Sequence, residues 1–348
     1  STRFRHHRGN RLPHDVVVVD ETSMVSLTLM ARLLEAVRPD ARLVLVGDPD
    51  QLASVDAGAV LADLVAGLAD VPDSPVVSLR TAHRYGRVIG GLAEALRAGD
   101  EDGVLAALRA GHGEVEFVET TEPEEDDETA EPAAEAWERL RPRLVESALS
   151  VRRRAEAGDA DGALAAVQRH RLLCAHREGP FGVRAWNQHV ERAITEETGD
   201  PLWDPMYVGR PLLVTANDYG LGLFNGDTGV VIRLPDGRLR AVFATATGRV
   251  ELAPSRLADI ETMHAMTIHK AQGSQAEEVT VLLPPPDSPL ATRELVYTAV
   301  TRARERITVV GPASAVLAAV RRRVQRASGL RERLGEAVLT GPTAPEPA

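Results

Sequence analysis

The sequence predicts an α/β protein whose strands form parallel sheets. Short runs of β-branched and aliphatic residues, such as Val16–Val19 and residues 43–46, have the length and composition of buried parallel strands. Segments with apolar residues at helical spacing alternate with these runs, as they do in βαβ units. The 348 residues suffice for more than one domain, and an aromatic fraction of 3% indicates cores built from Leu, Val and Ala.

Composition excludes several classes of protein. The net charge of −11 argues against nucleic-acid binding by general basicity, but nine carboxylates are concentrated in residues 119–135, so the remaining body is near neutral. Cys174 is the only cysteine, which excludes an internal disulfide and any multi-cysteine metal site. Without a long apolar stretch or an apolar signal core at the start, the sequence predicts a soluble cytoplasmic protein with no membrane association.

The first third of the chain reads as alternating strands and helices. Strands are predicted at 16–20, 42–47 and 76–79, and helices at 27–37, 58–68 and 89–96. The acidic residues 119–132 predict a surface excursion or a disordered segment. Helices at 133–157, 162–168 and 182–198, with a strand at 171–175, follow.

The pattern changes after residue 210. Short strands are predicted at 211–215, 229–234, 239–245 and 249–252, separated by the turn signals Asn-Gly-Asp and Pro-Asp-Gly, which indicates a small inserted β-barrel. The α/β pattern returns with an apolar run at 279–283, a helix at 292–302, a strand at 307–310 and a helix at 313–326. Residues 341–348 read as a frayed tail.

Polar groups follow the first two predicted strands. Asp20 and Glu21 stand where open α/β sheets place ligands, and such carboxylates can hold Mg²⁺ and orient a water for attack on a phosphoryl group. Gln51 in the next strand-end turn could sense a γ-phosphate, since an amide both donates and accepts. The plainer alternatives are a solvated acid pair and a β-turn selected for Pro and Asp.

A second group of polar residues surrounds Lys270, the only lysine among 40 Lys and Arg residues. A lysine is not interchangeable with arginine at a tight polar site, so this position has a chemical reason for a lysine. The alternative is that a single lysine occurs by chance on a solvent-exposed face. Arg84 and Arg302 could each reach a transferring phosphoryl group, or serve as ordinary surface ion-pair partners.

The order of these motifs resembles superfamily 1 helicases, motifs II to VI, and is most similar to the RecD family, the alpha subunits of exodeoxyribonuclease V. The matching patterns are Asp-Glu at 20–21, Gly-Asp-x-x-Gln-Leu at 47–52, the Arg-Tyr pair at 84–85, Thr-x-His-Lys-x-Gln-Gly at 267–273 and Tyr-Thr-Ala-x-Thr-Arg-Ala at 297–303. Further similar stretches are residues 19–24, 177–182, 222–227 and 292–306. The resemblance covers nearly the whole chain except the acidic segment and the tail.

The resemblance implies a role for each matched residue. Asp20 would ligate Mg²⁺, Glu21 would polarise the attacking water and Gln51 would couple nucleotide state to domain movement. Arg84 and Arg302 would contact the γ-phosphate. The implied nucleotide-binding residues are Asp20, Glu21, Gln51, Arg84, Gly273 and Arg302, and the implied DNA-binding residues are Thr267, His269, Lys270, Ser274 and Asn225.

The resemblance also implies RecA-like domains of the P-loop NTPase type. Residues 1–110 would be the C-terminal part of a first domain, and 111–208 with 263–330 a second one carrying the acidic segment 119–135. Residues 209–262 would form an SH3-like β insert, and 331–348 a tail. The implied function is ATP- and Mg²⁺-dependent 5′-to-3′ unwinding of DNA at ends, with beta (RecB-like) and gamma (RecC-like) subunits, in double-strand-break repair.

One departure from the family pattern is a missing P-loop. Lys270 follows His269, so the chain contains no Gly-Lys pair, and we expect the N-terminal part of such a protein to be absent here. This polypeptide alone should then hydrolyse ATP poorly or not at all. The alternatives are a stand-alone RecD-like or relaxase-type helicase and a non-catalytic module that binds DNA or a partner.

Overall fold

The computed structural model describes residues 4–54, 58–79, 84–122, 130–246, 248–324, 329–330 and 333–334. These residues form two compact units, one drawn from 1–81 and 324–348 and the other from 82–323. The units are taken separately below.

The first unit contains a parallel pair of strands. Its elements are β1 (Val16–Val19), a 3-10 helix (Thr22–Met24), α1 (Leu27–Ala36), β2 (Arg42–Leu45) and α2 (Val60–Leu68). Strands β1 and β2 pair in register from Val16 opposite Arg42 to Val19 opposite Leu45. Ser26 begins α1 by accepting a hydrogen bond from the Leu29 amide at 3.3 Å, the usual role of an N-cap serine. The strands predicted at 16–20 and 42–47 and the helices predicted at 27–37 and 58–68 are confirmed.

The third strand predicted in this region, at residues 76–79, is wrong. The backbone there is irregular, and Val77 and Leu79 are 83% and 93% exposed. Pro75 cannot donate to a ladder, and the Val76 amide is already taken by the Ser74 hydroxyl at 3.2 Å. Strand β1 also exposes side chains, with Val16 at 55% and Val18 at 62%, as expected for an apolar edge.

The second unit is a parallel sheet flanked by helices, with an antiparallel sheet inserted in its sequence. Its elements in chain order are α3 (Arg87–Ala98), α4 (Glu101–Arg109), β3 (Val115–Glu119), α5 (Ala130–Glu156), α6 (Ala160–Arg169), β4 (His170–Cys174), α7 (Val183–Thr198), β5 (Pro211–Val214), β6 (Thr228–Arg233), β7 (Leu239–Thr245), β8 (Gly248–Leu252), a 3-10 helix (Pro254–Arg256), β9 (Ile260–Thr262), β10 (Ala265–Thr267), a 3-10 helix (His269–Ala271), β11 (Ala276–Leu282), α8 (Arg293–Val300), β12 (Ala303–Gly311) and α9 (Ala313–Arg321).

The parallel sheet has the strand order β10-β4-β11-β12-β3. Leu172, Cys174, Leu282 and Val310 from its strands pack with Trp186 of α7 in a common core. Burial raises the pKa of the Cys174 thiol, which keeps it protonated and inert. The α/β class with a parallel sheet is therefore confirmed, although α4 and β3 were not predicted.

The insert is a separate antiparallel sheet of order β8-β7-β6-β5-β9. It has its own core, to which Leu212, Val231 and Phe243 contribute fully buried side chains. The predicted β insert is present, with β9 as an additional short strand. Its SH3-like character stays a prediction.

The division into units differs from the predicted boundary at residue 110. It falls at 81–82, so α3 and α4 belong to the second unit. Ile89, Leu92 and Leu96 make one face of α3 fully buried, and this helix packs on α8. The reason is tertiary packing, which no local turn signal records.

The acidic run at 119–135 is described only at its two ends, because 123–129 lie outside the described residues. Glu119 ends β3, and α5 has begun by Ala130. The Glu135 carboxylate accepts from both the amide and the hydroxyl of Thr121, at 2.9 and 2.7 Å. The prediction of a surface excursion or a disordered segment over 119–132 stays a prediction. The predicted tail, 331–348, lies almost entirely outside the described residues.

Candidate functional site

The carboxyl end of β1 carries a strained acidic turn. Asp20 is exposed, and one of its carboxylate oxygens accepts the Glu21 amide at 2.8 Å. Glu21 has φ 49° and ψ 40°, the left-handed region that costs a non-glycine residue about 1–3 kcal/mol. Asp20 and Glu21 therefore follow directly on β1, and other parts of the fold must stabilise the left-handed backbone of Glu21.

The end of β2 is held against this turn by a close backbone approach. The Thr22 amide donates to the Val46 carbonyl at 2.9 Å, and the buried Thr22 hydroxyl donates to the Val19 carbonyl at 2.9 Å. A Cβ on Gly47 would lie 3.1 Å from the Thr22 nitrogen and 2.7 Å from Leu61. Glycine at 47 thus allows the two strand ends to converge, which brings the two predicted polar turns together.

Two buried polar atoms at this convergence have no hydrogen-bond partner among the described residues. They are the Ser23 hydroxyl and the side-chain carbonyl oxygen of Gln51, whose residues are 5% and 9% exposed. The Gln51 amide nitrogen donates to Asp48 at 3.2 Å, so only its oxygen is left over. Such orphans are expensive and are typical of sites completed by a ligand or water. Sequence reasoning named Gln51 but gave Ser23 no role.

The ligands available at Asp20 suit Mg²⁺ better than a metal ion that protein side chains alone would have to surround. Within the described part of the chain, no cluster of three or more His, Cys, Asp or Glu residues could hold a metal ion. Mg²⁺ commonly takes one or two carboxylates and completes its shell with waters and nucleotide phosphates. Asp20, exposed at a strand end with one oxygen engaged by a backbone amide, fits such a site.

The residues predicted around Lys270 share one compact turn in the second unit. Strand β10 ends at Thr267, whose hydroxyl accepts the Lys270 amide at 3.3 Å. The 3-10 helix that contains His269 and Lys270 follows at once, and the Ser274 hydroxyl donates back to the Ala271 carbonyl at 2.8 Å. Gly273 has φ +75°, which explains a glycine at that position.

The Lys270 ammonium is bound by a carboxylate from the insert. Its Nζ lies 2.7 Å from Glu261 Oε2, and Glu261 Oε1 accepts from Arg177 Nη2 at 2.6 Å. Glu261 is on β9, and Arg177 is in the loop after β4. Sequence reasoning missed Glu261 and noted Arg177 only as part of a motif, because nothing in the sequence signals a contact between residues so far apart.

Arg302 is buried, and its hydrogen bonds join the end of α8 to the turn after Lys270. It is 3% exposed, and its guanidinium donates to the carbonyls of Thr298 at 3.1 Å and Ser274 at 3.3 Å and to the Thr301 hydroxyl at 3.3 Å. The end of α8 and the turn after Lys270 are thereby connected.

The two remaining predicted residues lie outside these groups. Arg84 is exposed just ahead of α3. Asn225 is exposed in the β5–β6 loop of the insert, where its backbone amide donates to Asn217 Oδ1 at 2.9 Å. The structure therefore collects Asp20, Glu21 and Gln51 in the first unit, and Thr267, His269, Lys270, Gly273, Ser274 and Arg302 in the second.

Two family models assign a class to these two regions. Residues 3–120 match the model described as an AAA domain, and residues 262–310 match the UvrD-like helicase C-terminal domain. The strand-end acids lie in the first match and the turn around Lys270 in the second. The chain is thus similar to AAA domains in its N-terminal part and to the C-terminal domain of UvrD-like helicases nearer its C-terminus.

Individual relatives define the branch more narrowly. The chain is 62% identical over 332 residues to the RecBCD enzyme subunit RecD of Mycobacterium tuberculosis, covering 95% of this chain and 55% of that protein. It is 60% identical to RecD of Mycolicibacterium smegmatis, covering 96% and 56%. The ATP-dependent RecD2 DNA helicase of Deinococcus radiodurans is 34% identical, with 95% and 41% covered. The resemblance to RecD-type superfamily 1 helicases drawn from the motif order is confirmed.

The extent of these matches has a limit. The chain spans about half the length of the RecD relatives it matches. Among solved structures, the Pif1 helicase of Candida albicans is similar at 15% identity and a TM-score of 0.47, covering 94% of this chain and 77% of that one, and carries no part of the assignment. In the described residues, no helix combines the length and apolarity that crossing a membrane requires.

Proposed function

We propose that this chain is the motif II–VI part of an ATP-dependent 5′-to-3′ DNA helicase, the alpha subunit of a RecBCD-type exodeoxyribonuclease V. The carrying observation is 62% identity to a RecD subunit over 95% of the chain. In this proposal the chain acts at DNA ends with beta (RecB-like) and gamma (RecC-like) subunits, in double-strand-break repair and recombination. The 34% identity to RecD2 makes a stand-alone helicase the second candidate.

The strand-end turn of the first unit is the proposed nucleotide site. Asp20 would hold Mg²⁺, which neutralises phosphate charge when it is bound. Glu21 would orient and deprotonate the attacking water, a task for a carboxylate within hydrogen-bond reach. The orphaned oxygen of Gln51 and hydroxyl of Ser23 would each gain a partner when water and nucleotide fill the site. A side-chain oxygen that gains a hydrogen bond only when the site is filled supports a role for Gln51 in reporting nucleotide state.

The turn around Lys270 is the proposed DNA site. Thr267, His269, Lys270 and Ser274 would contact the phosphate backbone of single-stranded DNA, and Asn225 of the insert would contact it separately. Arg302 donates to the Ser274 carbonyl, which supports its transmitting a change between this turn and the nucleotide. Arg84, Gly273 and Arg302 are kept as proposed nucleotide contacts.

The experiment that tests this function uses a chimera. The aligned part of M. smegmatis RecD is replaced by this chain, the chimera is assembled with the other subunits of that RecBCD enzyme, and DNA-stimulated ATP hydrolysis is measured. We expect turnover that Glu21→Gln abolishes while assembly is retained. Turnover that Glu21→Gln leaves unchanged would refute the assignment of the site.

The 348 residues by themselves should behave differently. They contain no Gly-Lys pair and hence no P-loop. We therefore propose that this polypeptide alone hydrolyses ATP poorly or not at all. DNA-stimulated turnover by the isolated chain, lost in Glu21→Gln, would contradict this.

A further inference from the structure

The Glu261 carboxylate is held between two cations from different parts of the second unit. One oxygen is 2.7 Å from the Lys270 ammonium and the other is 2.6 Å from the Arg177 guanidinium. Glu261 belongs to β9 of the insert, Arg177 to the loop after β4, and Lys270 to the 3-10 helix after β10. Three segments that are separate in sequence thus meet on one anion.

The arrangement has the chemistry of an anion site. A carboxylate and a phosphodiester both carry one negative charge and offer two oxygens, and Arg and Lys are the residues that bind either group. A lysine supplies a compact charge and an arginine a fork, so the pair can hold two oxygens of one anion. In this structure the Glu261 carboxylate fills the space between the two cations.

Exchange of that anion is inexpensive because the cluster is open to solvent. The exposed fractions of the side chains are 26% for Lys270, 40% for Glu261 and 65% for Arg177. Ion pairs at this level of exposure contribute about 0.2–1 kcal/mol. Glu261 therefore occupies the two cations without holding them strongly.

We propose that Arg177 and Lys270 form a binding site for one backbone phosphate of single-stranded DNA, and that Glu261 fills this site in the DNA-free protein and leaves it when the phosphate enters. The inference rests on the proposed function, and it adds Arg177 as a contact and Glu261 as a built-in competitor.

The test is equilibrium binding of a fluorescein-labelled oligodeoxythymidylate to the 348-residue chain over a range of salt concentrations. Glu261→Gln removes the competitor and should tighten binding about 1.4- to 5-fold, the equivalent of a surface ion pair of about 0.2–1 kcal/mol. Arg177→Ala should weaken binding and reduce the slope of log K against log salt by about 0.7, the value for one phosphate contact on a single strand.

The matched control is Glu178→Gln. Glu178 is adjacent to Arg177, is exposed, and pairs with Arg184 at 3.9 Å, so this variant makes the same charge change beside the site without touching it. It should change affinity less than Glu261→Gln does. Equal effects of the two variants would reduce the result to net charge and overturn the inference.

The sign of the Glu261→Gln effect separates the remaining outcomes. If Glu261 only positions Lys270, the variant weakens binding, and the inference fails while the proposed function stands. If wild type binds the oligonucleotide and Arg177→Ala keeps its affinity and salt slope, the phosphate site is likewise refuted. If none of the variants binds, the inference and the DNA site of the proposed function fail together.

Discussion

Arg302 donates through Nη1 to the carbonyl oxygen of Ser274 at 3.3 Å, which joins the end of α8 to the turn that contains Lys270. The two residues are 28 apart in sequence; Arg302 lies in one predicted motif and Ser274 directly follows another. The guanidinium is nearly inaccessible and also donates to the Thr298 carbonyl at the end of α8. This contact gives Arg302 a structural task in addition to any contact with nucleotide.

Arg302→Lys should therefore destabilise the protein. A lysine cannot reproduce the fork of donors, so buried carbonyls lose hydrogen bonds from a charged group, each worth about 1.5–3 kcal/mol. We expect the free energy of unfolding, measured by urea denaturation of the chain, to fall by at least that amount. Unchanged stability with lost ATP turnover in the chimeric enzyme would instead indicate a purely nucleotide-contacting arginine.

Gly47→Ala tests the close approach of the two strand ends. The new methyl group would lie 2.7 Å from the Leu61 side chain and 3.1 Å from the Thr22 amide, so the Leu61 side chain must move and the Thr22 backbone must give slightly, at a cost of about 1–3 kcal/mol. Gly91→Ala is the matched control, because it is exposed in α3 with nothing within 4 Å of the added carbon. That change should stabilise the chain by about 0.5–1 kcal/mol. Equal effects of the two substitutions on thermal unfolding would refute the steric account.

Adjacent hydroxyls at Thr22 and Ser23 should respond in opposite ways. Ser23→Ala removes a buried hydroxyl that has no partner among the described residues, so we expect stability to stay level or rise by about 1 kcal/mol. Thr22→Val removes the hydrogen bond to Val19 and should cost about 1 kcal/mol.

Activity completes the test of Ser23. In the chimeric enzyme, Ser23→Ala should lower ATP turnover although the fold is no weaker, as expected where a polar atom is kept for a ligand. Full turnover together with raised stability would show that the hydroxyl has no part in the nucleotide site.

Two partly buried histidines, His170 and His264, should make the second unit sensitive to acid. Desolvation, reinforced by Arg143 and Arg171 for His170 and by Arg210 for His264, lowers the pKa of each to about 3 from 6.5. Between these values the unfolded chain binds a proton that the folded chain does not. Stability is therefore lost as pH falls below about 6.5, by up to about 1.4 kcal/mol per pH unit for each histidine.

His170→Asn isolates one of these contributions. The variant loses the 2.9 Å contact with Thr280, so it should be less stable at pH 7, but its stability should fall less steeply toward pH 4 than that of wild type. Parallel curves of unfolding free energy against pH for His170→Asn and wild type would contradict the account.

How far the sequence predicts the fold depends on how local the determining interactions are. Four successive valines before Asp20 predict β1 correctly, because a short β-branched run suits few other structures. Residues 76–79 have a similar composition but lie beside Pro75 and remain irregular and exposed. Strand β3 was missed because its sequence, Val-Glu-Phe-Val-Glu, carries the charges of a sheet-edge strand.

The candidate site shows the same difference between features that local sequence reveals and features that only packing creates. Asp20, Glu21, Gln51 and Lys270 stand out from motif order and composition. The carboxylate that binds Lys270 does not, because Glu261 lies outside the predicted motifs. Its second cation, Arg177, is 84 residues away in sequence and meets it only through the fold. Ser23 acquires interest from burial without a partner, which is a property of packing and not of sequence.

The most direct test of the central claim is unwinding by the chimeric RecBCD enzyme, with wild-type and Glu21→Gln forms of this chain. The substrate is a duplex with a 5′ single-stranded overhang, and its separation is measured in the presence of Mg²⁺ and ATP. The account predicts ATP-dependent strand separation by the wild-type chimera and none by Glu21→Gln. An assembled complex in which the wild-type chimera separates no strands, while native M. smegmatis RecD does, would contradict it.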